Sequence, residues 1–183
     1  MPILQIGENG QLTGAKNVHV NGLIYDVIFE EGTAIDVFGS DLSLIAHSLP
    51  QATTFSIALL NSVFKDGING NFDTRPELTA GCYYNLECFI ATPYKVSDNR
   101  IYLSMATNRI VETGDYEVLQ TTSLTTDYSI NNFNIGYNKT YAKWQLVSSV
   151  QVPEPNSFIL LILSLLGMMM HRKLITSGNN YDL

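Results

Sequence analysis

Apolar and polar positions alternate over residues 16–30, on either side of a dipeptide that reverses the chain. Val18 and Val20 alternate on one arm, and Leu23, Tyr25, Val27 and Phe29 on the other, with Asn21-Gly22 between them. A period of two puts alternate side chains on opposite faces of a strand. Asn-Gly tolerates the positive φ angles of a two-residue type I′ turn. The pattern predicts a hairpin over residues 16–20 and 23–30, ended by Glu30-Glu31-Gly32-Thr33. At 51–65 the period changes. Ala52, Phe55, Leu59 and Val63, with Ile57, Leu60 and Phe64, recur three and four apart, the spacing of an amphipathic helix. Pro50 precedes it and Lys65-Asp66-Gly67 supplies a stop.

Residues 68–80 are polar, with Gly70, Asp73 and Pro76, and read as a loop. Strands are predicted at 86–93 and 100–106, joined by a turn at Ser97-Asp98-Asn99, and again at 116–121 and 141–148. The Thr-, Asn- and Ser-rich stretch between residues 121 and 138 reads as irregular, and no fixed-period repeat is present. The expected body, residues 1–150, is one β-rich domain, mainly β or α+β, with one amphipathic helix.

The pattern breaks at Gln151. Val152, Pro153, Glu154 and Pro155 cannot continue a strand, because each proline lacks an N–H and fixes φ. An apolar run follows: Phe158, Ile159, Leu160, Leu161, Ile162, Leu163, Leu165, Leu166, Met168, Met169 and Met170, interrupted only by Ser164 and Gly167. Its eight Phe, Ile and Leu residues favour membrane insertion by roughly 2.4–4.8 kcal/mol. A helix of this length spans about 20–24 Å against a hydrocarbon core of about 30 Å. A buried core helix is therefore the competing reading. The residues are apolar all round, however, and Arg172 and Lys173 follow at once, able to snorkel to headgroups. The expectation is a C-terminal transmembrane helix within residues 151–173, then a short polar tail at 174–183. Basic residues after the run and Glu154 before it orient the body away from the cytoplasm. A tail-anchored protein would leave Arg172 and Lys173 on the opposite side.

Charge narrows the function. The chain carries 17 acidic and 10 basic side chains, net −7, with no basic cluster in the body. Such a body repels phosphate backbones, which argues against nucleic acid as a partner. Only 15% of residues are charged, and ten Tyr and eight Phe suit pleated surfaces in an exported β-rich protein. Met1 to Glu8 show neither the basic nor the apolar region of a signal peptide, so export implies a leader outside these residues.

Cys82 and Cys88 leave two readings open, a small disulfide loop or two half-buried thiols. No Cys or His pair has metal-ligand spacing, and His19, His47 and His171 are scattered. Neither metal nor cofactor is expected. Asp36 with Asp41, or Glu112, Asp115 and Glu117, read as paired carboxylates, as Ca²⁺ ligands or, more simply, as acidic turns. Tyr83, Tyr84, Tyr94, Tyr102 and Trp144 read as a sugar-stacking surface or as core. No catalytic motif is visible.

The order Val-Pro-Glu-Pro, short apolar helix, basic stop resembles the PEP-CTERM sorting signal of bacterial envelope and biofilm proteins. Pro153-Glu154-Pro155 match the signature tripeptide, residues 158–170 the helix, and Arg172-Lys173 the basic end. The resemblance covers residues 152–173. Less specifically, Leu12-Thr13-Gly14-Ala15, the Asn21-Gly22 hairpin and Ala58-Leu59-Leu60 are similar to the bodies of such proteins. Two features depart from the pattern: the signal peptide is not seen, and Leu174 to Leu183 follow the basic end. The resemblance implies processing by an exosortase, a membrane cysteine protease, and a non-enzymatic role at the envelope or with exopolysaccharide. The competing expectations are an exported hydrolase, a carbohydrate-binding module and a simple tail-anchored protein.

Overall fold

A computed structural model describes residues 1–98, 100–110, 128–129 and 139–149. The chain divides into two units, Met1–Ser149 and Val150–Leu183. All described residues lie in the first. The predicted strand at 116–121 and the whole C-terminal signal, from Val152 to Lys173, fall outside them.

The N-terminal hairpin is built from β2 (Leu12–Val20) and β3 (Leu23–Glu30), with Val20 opposite Leu23. Asn21 and Gly22 take φ of 50° and 78° at its turn, the two positive angles that type I′ requires. One irregularity was not legible. Ala15 pairs with Val27 but Val18 with Tyr25, so two β2 residues face one on β3, a bulge. Asn17 sits in it at φ 58°, and its N–H donates to Asp26 Oδ1 at 3.0 Å. The bulge reverses the parity of β2, which is why Ala15 and Val18 are both buried. Gly14 just upstream has no room for a side chain, since a Cβ would run into the Val27 carbonyl. An additional strand, β1 (Ile3–Ile6), pairs antiparallel with β2 at the sheet edge.

The helix expected at 51–65 is α2, Leu49–Ser62. Ser48 caps it by accepting from the Gln51 N–H, and Pro50 lies inside the first turn, where its missing N–H costs nothing. The helix stops three residues before the expected point. Val63 and Phe64 are buried, but as the turn that follows it. A second helix, α1 (Ala34–Phe38), corrects the expectation of one. Thr33 and Asp36 close it with a reciprocal capping box, too short a pattern to show a period.

The loop expected at 68–80 also holds the strand β5 (Gly70–Asn71), paired with β4 (Asp66–Gly67) just before it, and a single turn of 3₁₀ helix at Pro76–Leu78. Phe72 is nonetheless fully buried, and its carbonyl accepts from Asn108 Nδ2 at 2.6 Å. Strands β6 (Glu87–Ser97) and β7 (Arg100–Arg109) are longer than expected and pair antiparallel. Tyr128–Ser129 forms a short β8 on β7, inside the stretch read as irregular, and β9 runs over Lys139–Ser149.

The sheet order is β1-β2-β3-β9-β6-β7-β8. β9 is the join: it runs antiparallel to β3 along eight residue pairs and parallel to β6 along three, Phe89–Lys139 to Ala91–Tyr141. The described body is thus β-rich with few helices. α2 covers the first face of the sheet, where Phe55, Leu59 and Leu60 pack with Val18, Tyr25, Val27, Ile90 and Trp144. On the second face, Ala34 and Val37 of α1 pack with Ala91, Ile101, Leu103, Met105 and Tyr141. β7 is therefore buried on both sides from Leu103 to Asn108.

Candidate functional site

Past Ala91 and Tyr141 the pairing of β6 with β9 stops, and the sheet splits. Pro93, which has no N–H to offer a neighbour, stands just beyond the last pair. The connection from α1 to α2 passes here. Leu42 packs in the second-face cluster and Ala46 in the first-face cluster. Ser43 and Ile45 line the split itself, so the chain changes faces at this point. Leu42 takes φ 46°, uncommon for a residue with a side chain.

A cleft of about 410 Å³ opens at this split on the second face. Its floor is the outward-pointing alternation of two paired strands. β3 contributes Asp26, Ile28 and Glu30; β9 contributes Lys143 and Gln145. Phe38 of α1 forms one wall, held edge-on against Tyr141 at 5.3 Å, and Thr92 and Pro93 of β6 complete the lining. Lys143 Nζ lies 3.4 Å from Glu30 Oε2. The partly exposed pair contributes about 0–1 kcal/mol, enough to orient both groups and little more. Ile28, a large apolar side chain, is 45% exposed in this polar floor.

Two carboxylates, Asp26 and Glu30, line the cleft from one strand, four residues apart. Asp26 accepts from the Asn17 N–H, and Glu30 faces Lys143. Trp144 Nε1 donates to Thr92 Oγ1 of β6 at 3.2 Å, and Ser56 of α2 and Ser104 of β7 share a buried hydrogen bond of 3.0 Å.

The residues singled out in the sequence separate by environment. Cys82 and Cys88 are bonded as a disulfide, Cα atoms 5.4 Å apart, and both are buried. Trp144 is core, packed on Phe55 at 4.7 Å and Tyr25 at 6.3 Å. Tyr94 and Tyr102 pair across β6 and β7 at 6.3 Å, with Lys95 Nζ over the Tyr102 ring. Burial pushes the Tyr94 hydroxyl's pKa up. Tyr83 and Tyr84 are exposed within the disulfide loop. Tyr83 donates to Glu31 Oε1 at 2.7 Å, and that bond raises its pKa. The aromatics form no single surface.

Asp36 caps α1: its Oδ2 accepts from the Thr33 hydroxyl at 2.6 Å and N–H at 2.9 Å, which holds the carboxyl below its usual range. Asp41 is exposed in the connection after α1. Glu112, Asp115, Glu117 and His171 lie outside the described residues, as do Pro153-Glu154-Pro155 and the apolar run. Among the described residues no three His, Cys, Asp or Glu side chains are placed to hold a metal. Asp66 Oδ1 instead accepts from the N–H groups of Asp73 and Thr74, fastening its loop. Burial raises the Asp73 carboxyl, with Lys65 opposing the shift.

The cleft itself was missed. Its one local trace is on the outward side of β3, where Asp26 and Glu30 alternate with Ile24 and Ile28. Among the described residues no helix is long and apolar enough to cross a membrane. No family model, curated protein or solved structure matches the chain.

Proposed function

We propose that this chain is an exported, non-enzymatic protein of the bacterial envelope or its exopolysaccharide, sorted by its C-terminal segment. The structural observation that carries the export part is the buried Cys82–Cys88 disulfide. Disulfides persist in oxidising compartments and are rare in the cytosol. The order Pro153-Glu154-Pro155, apolar run, Arg172-Lys173 supports the sorting part. In this reading residues 158–170 lie in the membrane, and an exosortase cuts near the tripeptide. The engagement of Asp26 and Glu30 by other groups supports a non-enzymatic role.

Fractionation of the producing cells tests this directly. Thiols are trapped with an alkylating reagent at lysis, and Cys82 and Cys88 are expected to stay unmodified in protein from the envelope fraction. Replacing Pro153-Glu154-Pro155 by alanines is expected to leave a larger, membrane-held form. Fully alkylated cysteines in a cytosolic fraction would overturn export, and normal processing of the alanine variant would overturn sorting.

A further inference from the structure

We infer that the cleft at the split between β6 and β9 binds a neutral oligosaccharide. The inference deepens the envelope reading and rests on it only for where the ligand is met. At about 410 Å³ the cleft is of small-ligand size. Its chemistry removes the other classes in turn. Two carboxylates face one ammonium, in a chain of net −7, so an anionic ligand is repelled. A lipid tail would strip water from Asp26, Lys143 and Gln145 without replacing their hydrogen bonds. A cation would find Glu30 already facing Lys143 and Asp26 already accepting from Asn17.

A hydroxyl-rich neutral ligand meets none of these objections. Each sugar hydroxyl both donates and accepts, so it adds to the spare hydrogen-bonding capacity of the carboxylates and the Lys143 ammonium without taking their present partners, and pairs with both ends of the Gln145 amide. Ile28 and Phe38 give the C–H face of a sugar ring something apolar to rest on. Phe38 is already fixed by its edge contact with Tyr141, so seating a ring on it costs little ordering. Gln145 is the residue expected to decide affinity, because it is exposed on β9 and its side chain makes no hydrogen bond among the described residues.

The chain supplies its own reporter. Trp144 is the single tryptophan and stands on β9 between the cleft residues Lys143 and Gln145. Full-length protein, in a detergent without a sugar headgroup, is titrated with cellotetraose, maltotetraose and mannotetraose, reading Trp144 emission and binding heat. Tetragalacturonate and the tetramer of glucosamine serve as the anionic and cationic counterparts. At least one neutral tetramer is expected to bind and both charged ones to bind more weakly. Gln145→Ala is expected to weaken that binding about fivefold, the worth of one hydrogen bond, with an unchanged melting temperature. Lys143→Ala gives an independent second variant. No binding of any neutral tetramer up to about 10 mM overturns the inference, that limit being weaker than about −2.7 kcal/mol. So does tighter binding of a charged one, or full affinity in both variants. A parent protein that binds no neutral tetramer yet still fractionates with the envelope removes the ligand and leaves the location standing.

Discussion

The two sides of β9 do opposite work. Ala142 and Trp144 point to the first face and are buried under α2; Lys143 and Gln145, alternating with them, point into the open cleft. The same strand therefore belongs to a closed, apolar interface and to an open cleft into which it puts an ammonium and an amide. A period of two is what separates them. Substitutions on one side should change stability, and those on the other should change binding alone.

The largest effect is expected from Phe55→Ala, which empties the space between Trp144 and Tyr25. It should cost about 3–5 kcal/mol in urea unfolding; a loss below about 1 kcal/mol would mean that this face is loosely packed. Next comes the double change of Cys82 and Cys88 to alanine. Opening a seven-residue loop should cost about 2 kcal/mol by chain entropy, measured against the oxidised parent. Ser56→Ala leaves the Ser104 hydroxyl buried without its partner, for about 1–3 kcal/mol. Removing both hydroxyls should cost less than the two single changes together, and additive losses would show that the pair is uncoupled.

On the open side, Lys143→Ala should move stability by no more than about 0.5 kcal/mol. A larger loss would place the lysine in the packing and blur the contrast. The smallest effect concerns pH. Asp36 is held below the usual carboxylate range by its bonds to Thr33. Its contribution is present above the ordinary Asp value of about 3.9 and is lost as the pH falls through the lowered one. The gap in melting temperature between parent and Asp36→Asn should therefore shrink below about pH 4, and a constant gap would exclude the charge as its cause. Asp73, raised by burial, carries the opposite sign and favours the fold on acidification.

Much of this fold was readable from periodicity. The hairpin, α2, β6, β7 and β9 each show several apolar residues at one spacing. What failed to show is short or irregular. α1 has five residues and β1 four, below the length at which a period declares itself. The bulge at Asn17 shifts parity by one residue in a strand that otherwise alternates. Phe72 is buried from within a polar loop because Asn108 anchors its carbonyl, a contact between residues far apart in the chain. The cleft was illegible for the same reason. Its floor joins β3 to β9 and its wall comes from α1, so no local window contains it.

The place of β9 also governs when the sheet comes into being. The amino-terminal hairpin and the β6–β7 pair share no ladder among the described residues; both are stitched to the last described strand, where Leu23, opposite Val20 on one side, meets Ser149 on the other. Until that strand is made, the growing polypeptide can bring the two pieces together under α2 but cannot join them into one sheet. Such late, distant closure slows folding. Under the proposed export, that delay would suit a chain threaded through a translocation channel before it collapses.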